Sequence, residues 1–180
     1  FPADVVREAI AAAHDEGAKV TSHCFAEQSV AEIIEAGADC IEHGTGLDDD
    51  HIALMAERGV GLVPTMINLA RFTDYAAQGE AKFPTYSAHM RDLHARRYET
   101  IGKAYDAGVP IYTGTDAGTV IKHGRVIDEI DELAKVGGVE FALGAASWRA
   151  REWLGVDAVV EGASADFVVY SEDPRSALQT

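Results

Sequence analysis

Two histidines and one aspartate carry the chemistry this sequence can offer: His23, His43 and Asp116. Each closes a short run with strand character: Val20-Thr21-Ser22-His23, then Ile41-Glu42-His43, then Thr113-Gly114-Thr115-Asp116. Neutral imidazole and carboxylate are the donors a borderline divalent metal such as zinc prefers. A metal held by such groups lowers the pKa of its water to about 7. An aspartate beside it can pass that proton to a leaving group. Taken singly, each residue has a plainer role, since a histidine at a strand end is often a satisfied polar group and an Asp before Ala-Gly is a turn former. The ordered set points to metal-assisted hydrolysis. Glycines around Asp116 leave room for a ligand to approach the backbone.

Such a set works only if a scaffold brings several strand ends to one place. The hydrophobic spacing predicts that scaffold as strand–helix alternation. An apolar stripe of Val5, Val6, Ala9, Ile10 and Ala13 predicts a helix over 2–16. Strands are predicted over 19–25, 38–43, 60–66 and 110–115, and helices over 27–36, 48–58, 88–106 and 125–135, with helical material to 154. Gly17, Gly37, Gly59 and Gly108 stand where helices stop. A last strand is predicted over 166–170. In parallel α/β folds, sites lie at the C-terminal strand ends, which is where His23, His43 and Asp116 fall. The region 67–87, of mixed polarity, would overhang the site as a lid. It offers Arg71 and Tyr75 as substrate-binding residues, with Tyr86 and His89 beside them. Trp148 and Trp153 are read as core anchors.

Composition narrows the class. A formal net charge of -15 excludes nucleic acid and anionic membrane surfaces as partners. The 47% hydrophobic and 25% charged content is that of a water-soluble globular domain. No apolar run approaches the roughly 20 residues a membrane helix needs. Cys24 and Cys40 fall within predicted strands, form no CxxC pair and read as free thiols, in keeping with a cytoplasmic location. The sequence opens directly on an amphipathic helix, so an upstream segment is expected.

At the level of motifs, Val20-Thr21-Ser22-His23, Ile41-Glu42-His43-Gly44-Thr45 and Thr113-Gly114-Thr115-Asp116-Ala117-Gly118-Thr119 resemble strands five, six and eight of the amidohydrolase superfamily. The branch resembled is the imidazolonepropionase-like and Xaa-Pro dipeptidase (prolidase)-like one. Glu161-Gly162-Ala163-Ser164-Ala165-Asp166-Phe167-Val168-Val169-Tyr170 resembles the segment that leaves the barrel. The resemblance implies an α/β fold: residues 1–158 as the C-terminal half of a (β/α)8 TIM barrel, and 159–180 as a strand segment of a small composite β-sandwich. It implies His23, His43 and Asp116 as metal ligands, with Asp116 also the catalytic proton shuttle. It further implies one or two divalent ions, zinc by preference, and His123 facing the substrate. The implied activity is hydrolysis of an amide-type C–N bond in a small molecule such as a dipeptide, an N-acyl amino acid or a cyclic amide. A homo-oligomer is expected.

The departures from the family pattern are specific. The strand-one His-x-His pair and the strand-four bridging residue, often a carboxylated lysine, have no counterpart here. Four strands cannot close an eight-stranded barrel, so a missing N-terminal half or a partner chain is expected to complete it. Ser164 stands where the family usually has lysine, and Phe25 where many relatives carry a polar residue. Two alternatives stay open. One is a catalytically silent half-barrel acting as an assembly or weak metal-binding module. The other is a phosphate-binding enzyme using residues 114–118 as an anion nest, with Lys122 as the nearest cation.

Overall fold

The computed structural model describes residues 1–156 and 159–176. Its sheet is parallel in the order β1 (Thr21–Cys24), β2 (Cys40–His43), β3 (Gly61–Val63). Helices α1 (Ala3–Asp15), α2 (Glu27–Ala36) and α3 (Asp49–Arg58) alternate with these strands. Local chemistry sets their ends. The Asp48 carboxylate accepts from the His51 N–H at 2.8 Å and so caps a donor that α3 leaves open. Gly37 and Gly59 close α2 and α3 in the left-handed conformation, which a Cβ would disfavour.

Parallel pairing puts register partners on the same face of the sheet. Ser22, Ile41 and Leu62 form one row across it, and His23, Glu42 and Val63 form the next row, on the opposite face. Ile41 and Leu62 are fully buried in a core with Met55, Ile101 and Leu133 from the helices. The His23 row faces away from that core. Burial of the one row therefore fixes which face remains for chemistry.

The segment expected as a fourth strand, 110–115, makes one parallel bridge, Leu62 to Ile111. The Leu62 N–H donates to Pro110 O at 2.8 Å and the Tyr112 N–H to Leu62 O at 2.9 Å. Thr113 then leaves β3 and donates to Ala145 O at 3.2 Å. The pairing stops because the next rung would need an N–H from residue 64, and Pro64 has none. The region 67–87, expected as a loop of mixed polarity, instead holds α4 (Met66–Leu69) and α5 (Phe72–Gly79), and the long α6 begins early, at Pro84–Asp106. Pro84 in the first turn loses no helical bond. The chain continues through α7 (Val126–Gly137), α8 (Val139–Ala146) and α9 (Trp148–Trp153).

Residues 166–170 form no strand among the described residues. Phe167, Val168 and Val169 are exposed, and among the described residues no backbone pairs with them. The proposed boundary at 158 lies outside the described residues, as does the stretch 177–180. Trp148, expected in the core, is 47% exposed. Trp153 sits against Tyr112, ring centroids 5.3 Å apart, with the Lys19 ammonium 5.0 Å from its ring. Cys24 and Cys40 are buried free thiols, and burial pushes the Cys40 thiol up to about 12. No helix among the described residues is long and apolar enough to cross a membrane.

Candidate active site

Register places Cys24, not His23, opposite His43. On a regular strand the two histidines would point to opposite faces. The backbone of His43 turns left-handed, φ 71°, and Gly44 follows at φ 55°. That break in alternation brings His43 Nε2 to 2.9 Å from His23 Nδ1. Gly44 cannot be replaced freely, because an added Cβ would meet Leu62 Cδ1 at 2.6 Å.

His43 is buried and anchored. Its Nδ1 lies 2.8 Å from Thr65 Oγ1, and the Phe25 ring stacks on it at 4.3 Å and 14°. Burial, helped by His23 and opposed by Asp116, pushes the His43 imidazole down to about 4. It is therefore neutral at pH 7. With its proton on Nδ1, donated to Thr65, the lone pair on Nε2 faces His23. That is the ligating form of an imidazole held by a partner on its other nitrogen.

Among the described residues, the non-glycine residues with positive φ are His43, Thr65 and Asp116. All three are at this site. Left-handed backbone costs such residues about 1–3 kcal/mol each and persists only where surroundings impose it. For Thr65, φ 50° and ψ 52° with a β-branched side chain, the surroundings are visible. The next two backbone N–H groups, of Met66 and Ile67, donate to the Glu129 carboxylate at 2.7 and 2.8 Å. One residue further on, Asn68 Nδ2 donates to Asp116 Oδ2 at 2.7 Å, and Asn68 Oδ1 accepts from the Tyr75 hydroxyl at 3.2 Å. The corner after β3 thus touches both His43 and Asp116.

Glu42 adds a second carboxylate near His23. It accepts from the Thr21 hydroxyl at 2.8 Å, and burial, reinforced by Asp116, raises its pKa. The donor set has the chemistry of a divalent-metal site. Zn–N bonds of about 2.0–2.1 Å at tetrahedral angles set two nitrogens about 3.3 Å apart, so the His23–His43 pair needs to open only by a few tenths of an ångström. Among the described residues no three His, Cys, Asp or Glu side chains are grouped so as to enclose an ion. This chain brings two converging imidazoles with a carboxylate nearby.

Asp116 borders a cavity of about 580 Å³. Phe25, Phe72, Tyr75, Tyr86, Met90 and Leu93 give it an aromatic and apolar wall. Tyr75, Tyr86 and His89, named from the sequence, line it. Arg71 does not: it pairs with Asp74 at 3.1 Å and lines a separate groove beside Lys122 and Arg125. His123 lies exposed in the loop before α7 and does not line the cavity. Gly114 serves packing more than ligand approach, since a Cβ there would meet Val63 Cγ1 at 2.3 Å.

Thr65, Asn68, Glu42 and Glu129 were not singled out from the sequence. Signals existed for two of them. Extending the third strand to residue 66 hid the polar residues at its true end. Glu129 precedes Leu133 by one helical turn, so it falls on a buried face where a carboxylate is out of place.

The chain is similar to known proteins in sequence and in fold. The sequence profile described as Amidohydrolase family matches residues 1–180. An uncharacterised protein of Mycobacterium tuberculosis H37Rv is 53% identical over 173 residues, which is 96% of this chain and 46% of that protein. The chain thus spans about half the length of the curated relatives it matches. A crystal structure of a Xaa-Pro dipeptidase with methionine bound in the active site superposes with a TM-score of 0.84 at 28% identity, covering 99% of this chain and 45% of that one. The ochratoxinase of A. niger has the same fold, with a TM-score of 0.82 at 24% identity over 99% of this chain and 41% of its own.

Proposed function

The chain belongs to the amidohydrolase family, and from that premise we propose that it carries part of the active site of a metal-dependent hydrolase of amide-type C–N bonds. The observation that carries this reading is the meeting of His23 Nδ1 and His43 Nε2 at 2.9 Å, on the sheet face that the core leaves free, with Asp116 in electrostatic reach of His43.

In this reading His23 and His43 hold a divalent ion, zinc by preference. The ion would supply Lewis acidity toward a carbonyl and toward water. Thr65 fixes the tautomer and aim of His43. Asp116, oriented by Asn68, accepts a proton from water and returns it to the leaving nitrogen. The cavity beside Asp116 seats an apolar side chain of the substrate, while Phe25 keeps solvent off the face of His43. Likeness to a Xaa-Pro dipeptidase supports a dipeptide or a related N-acyl amino acid as the substrate. β1 has no strand partner on its outer edge among the described residues, and that edge is where further sheet, from the same or another chain, would pair.

Metal content and turnover of the intact protein test this together. The expected result is stoichiometric metal, lost in His23→Ala, and dipeptide or N-acyl amino acid hydrolysis abolished in Asp116→Asn. Near-normal turnover in Asp116→Asn overturns the mechanism. The second reading is a half-barrel that binds metal weakly and catalyses nothing. It is favoured by the lack of any three-donor group among the described residues, and it predicts substoichiometric metal indifferent to His23→Ala.

A further inference from the structure

Glu129 lies on α7, far along the chain from the site, and it is fully buried. A carboxylate there is costly unless its oxygens are satisfied. Both are: Oε1 accepts from the Met66 N–H at 2.7 Å and Oε2 from the Ile67 N–H at 2.8 Å. These two donors follow directly on Thr65, whose backbone is left-handed. The turn they begin is continued by Asn68 N–H to Thr65 O at 2.9 Å. Thr65 holds His43 and Asn68 holds Asp116. Glu129 itself touches neither.

We propose that Glu129 is a positioning residue: by clamping the backbone of Met66 and Ile67 it keeps the Thr65–Asn68 corner in its strained form, and so sets His43 and Asp116 relative to one another. α7 is thereby tied to the site through two backbone bonds. The buried face of α7 would by periodicity alone take an apolar residue at 129, in line with Leu133, and a core leucine there would pack without the desolvation that the carboxylate suffers. An apolar side chain, however, would offer the two N–H groups nothing, and a buried unpaired N–H costs about 1–3 kcal/mol.

The proposal rests on the reading of His43 and Asp116 as working residues, and its test separates the two. In the intact, metal-free protein with ¹⁵N-labelled histidine, the His43 ring resonances report the contacts to Thr65 and His23 without any turnover. Glu129→Gln keeps the shape and one acceptor but presents an amide donor to the second N–H. It is expected to move the His43 resonances and, in the metal-loaded protein, to lower kcat about tenfold with KM little changed, a size typical of groups that orient ligands. Leu133→Ala, on the same buried face, is the control for lost stability alone. It is expected to leave the His43 resonances in place at an equal or larger drop in Tm. Thr65→Val removes the hydroxyl at the proposed link and is expected to reproduce the Glu129→Gln shift, with no further shift in the double variant. Should Glu129→Gln move His43 no more than Leu133→Ala does, or should the two shifts simply add in the double variant, Glu129 is only a buried structural residue and the proposal falls. A wild-type protein without hydrolase activity would sink the functional reading yet leave the resonance comparison decisive for Glu129.

Discussion

Asn68 faces Asp116 with its amide nitrogen, 2.7 Å from Oδ2, and turns its amide oxygen to the Tyr75 hydroxyl at 3.2 Å. Both ends of the side chain are used, so its orientation is fixed: the NH₂ must meet the carboxylate and the C=O the hydroxyl. Asn68→Ala frees the Asp116 carboxylate to rotate and leaves the Tyr75 hydroxyl without this partner. We expect kcat to fall about 10- to 100-fold, as for other groups that orient a working side chain, with Tm little changed. Steady-state kinetics beside a thermal melt check this, and an Asn68→Ala protein with wild-type kcat would remove Asn68 from the site.

Phe25 stacks on one face of the His43 ring and meets His23 edge-on, centroids 4.7 Å apart. It contributes to the burial that pushes His43 down to about 4. Phe25→Ala lets water reach the imidazole and should raise its pKa toward the usual 6.5 by about one unit or more. An NMR titration of the His43 ring in the metal-free protein reads this directly. An unchanged titration would mean that the shielding comes from the β3 corner and not from Phe25.

Glu129 should leave a signature in the pH dependence of stability. Burial raises its folded pKa to about 7, against the two N–H bonds that favour the ionised form, from an ordinary 4.5. A raised folded pKa means that the folded protein binds more protons than the unfolded chain between these values. The contribution of Glu129 to stability is therefore greatest below about pH 4.5 and is lost as pH rises through about 7, a change on the order of 3 kcal/mol. Denaturant unfolding of wild type and Glu129→Gln across pH 4–8 isolates it. The difference between the two proteins should slope in that window and flatten outside it, and a flat difference throughout would contradict the shift.

Leu62 is fully buried, and its backbone is bonded to Pro110 and Tyr112 on the side away from β2. Leu62→Ala should cost about 2–5 kcal/mol through lost burial and a cavity. It should also loosen Gly44, whose position lies against the Leu62 side chain. Urea melts give the first effect, and a lower metal affinity gives the second. A loss under about 1 kcal/mol would show that the site lies outside the continuous core.

Much of this was legible in order along the chain. Helical stripes, glycine stops and β-branched runs are local signals, and they placed β1, β2 and α1 to α3 within a residue or two of where they stand. The same signals put His23, His43 and Asp116 at strand ends. Periodicity misled where pairing decides: 110–115 makes a single bridge because Pro64 has no N–H for the next rung, and 166–170 has the composition of a strand but no neighbour among the described residues.

The sequence by itself determined the alternation, the free thiols, the acidic surface and the residue types of the site. Only the tertiary structure decided how those residues meet. Side-chain alternation would hold His23 and His43 on opposite faces, and it took left-handed backbone at His43 to bring them together. It took Glu129, recruited from a helix late in the chain, to satisfy the corner at Thr65. Arg71 and His123, plausible by position, turned away to a separate groove and to solvent. The physical reason is one of range. Periodicity reports which face of its own element a residue occupies, whereas strained backbone is stable only when contacts from elements distant in sequence hold it in place.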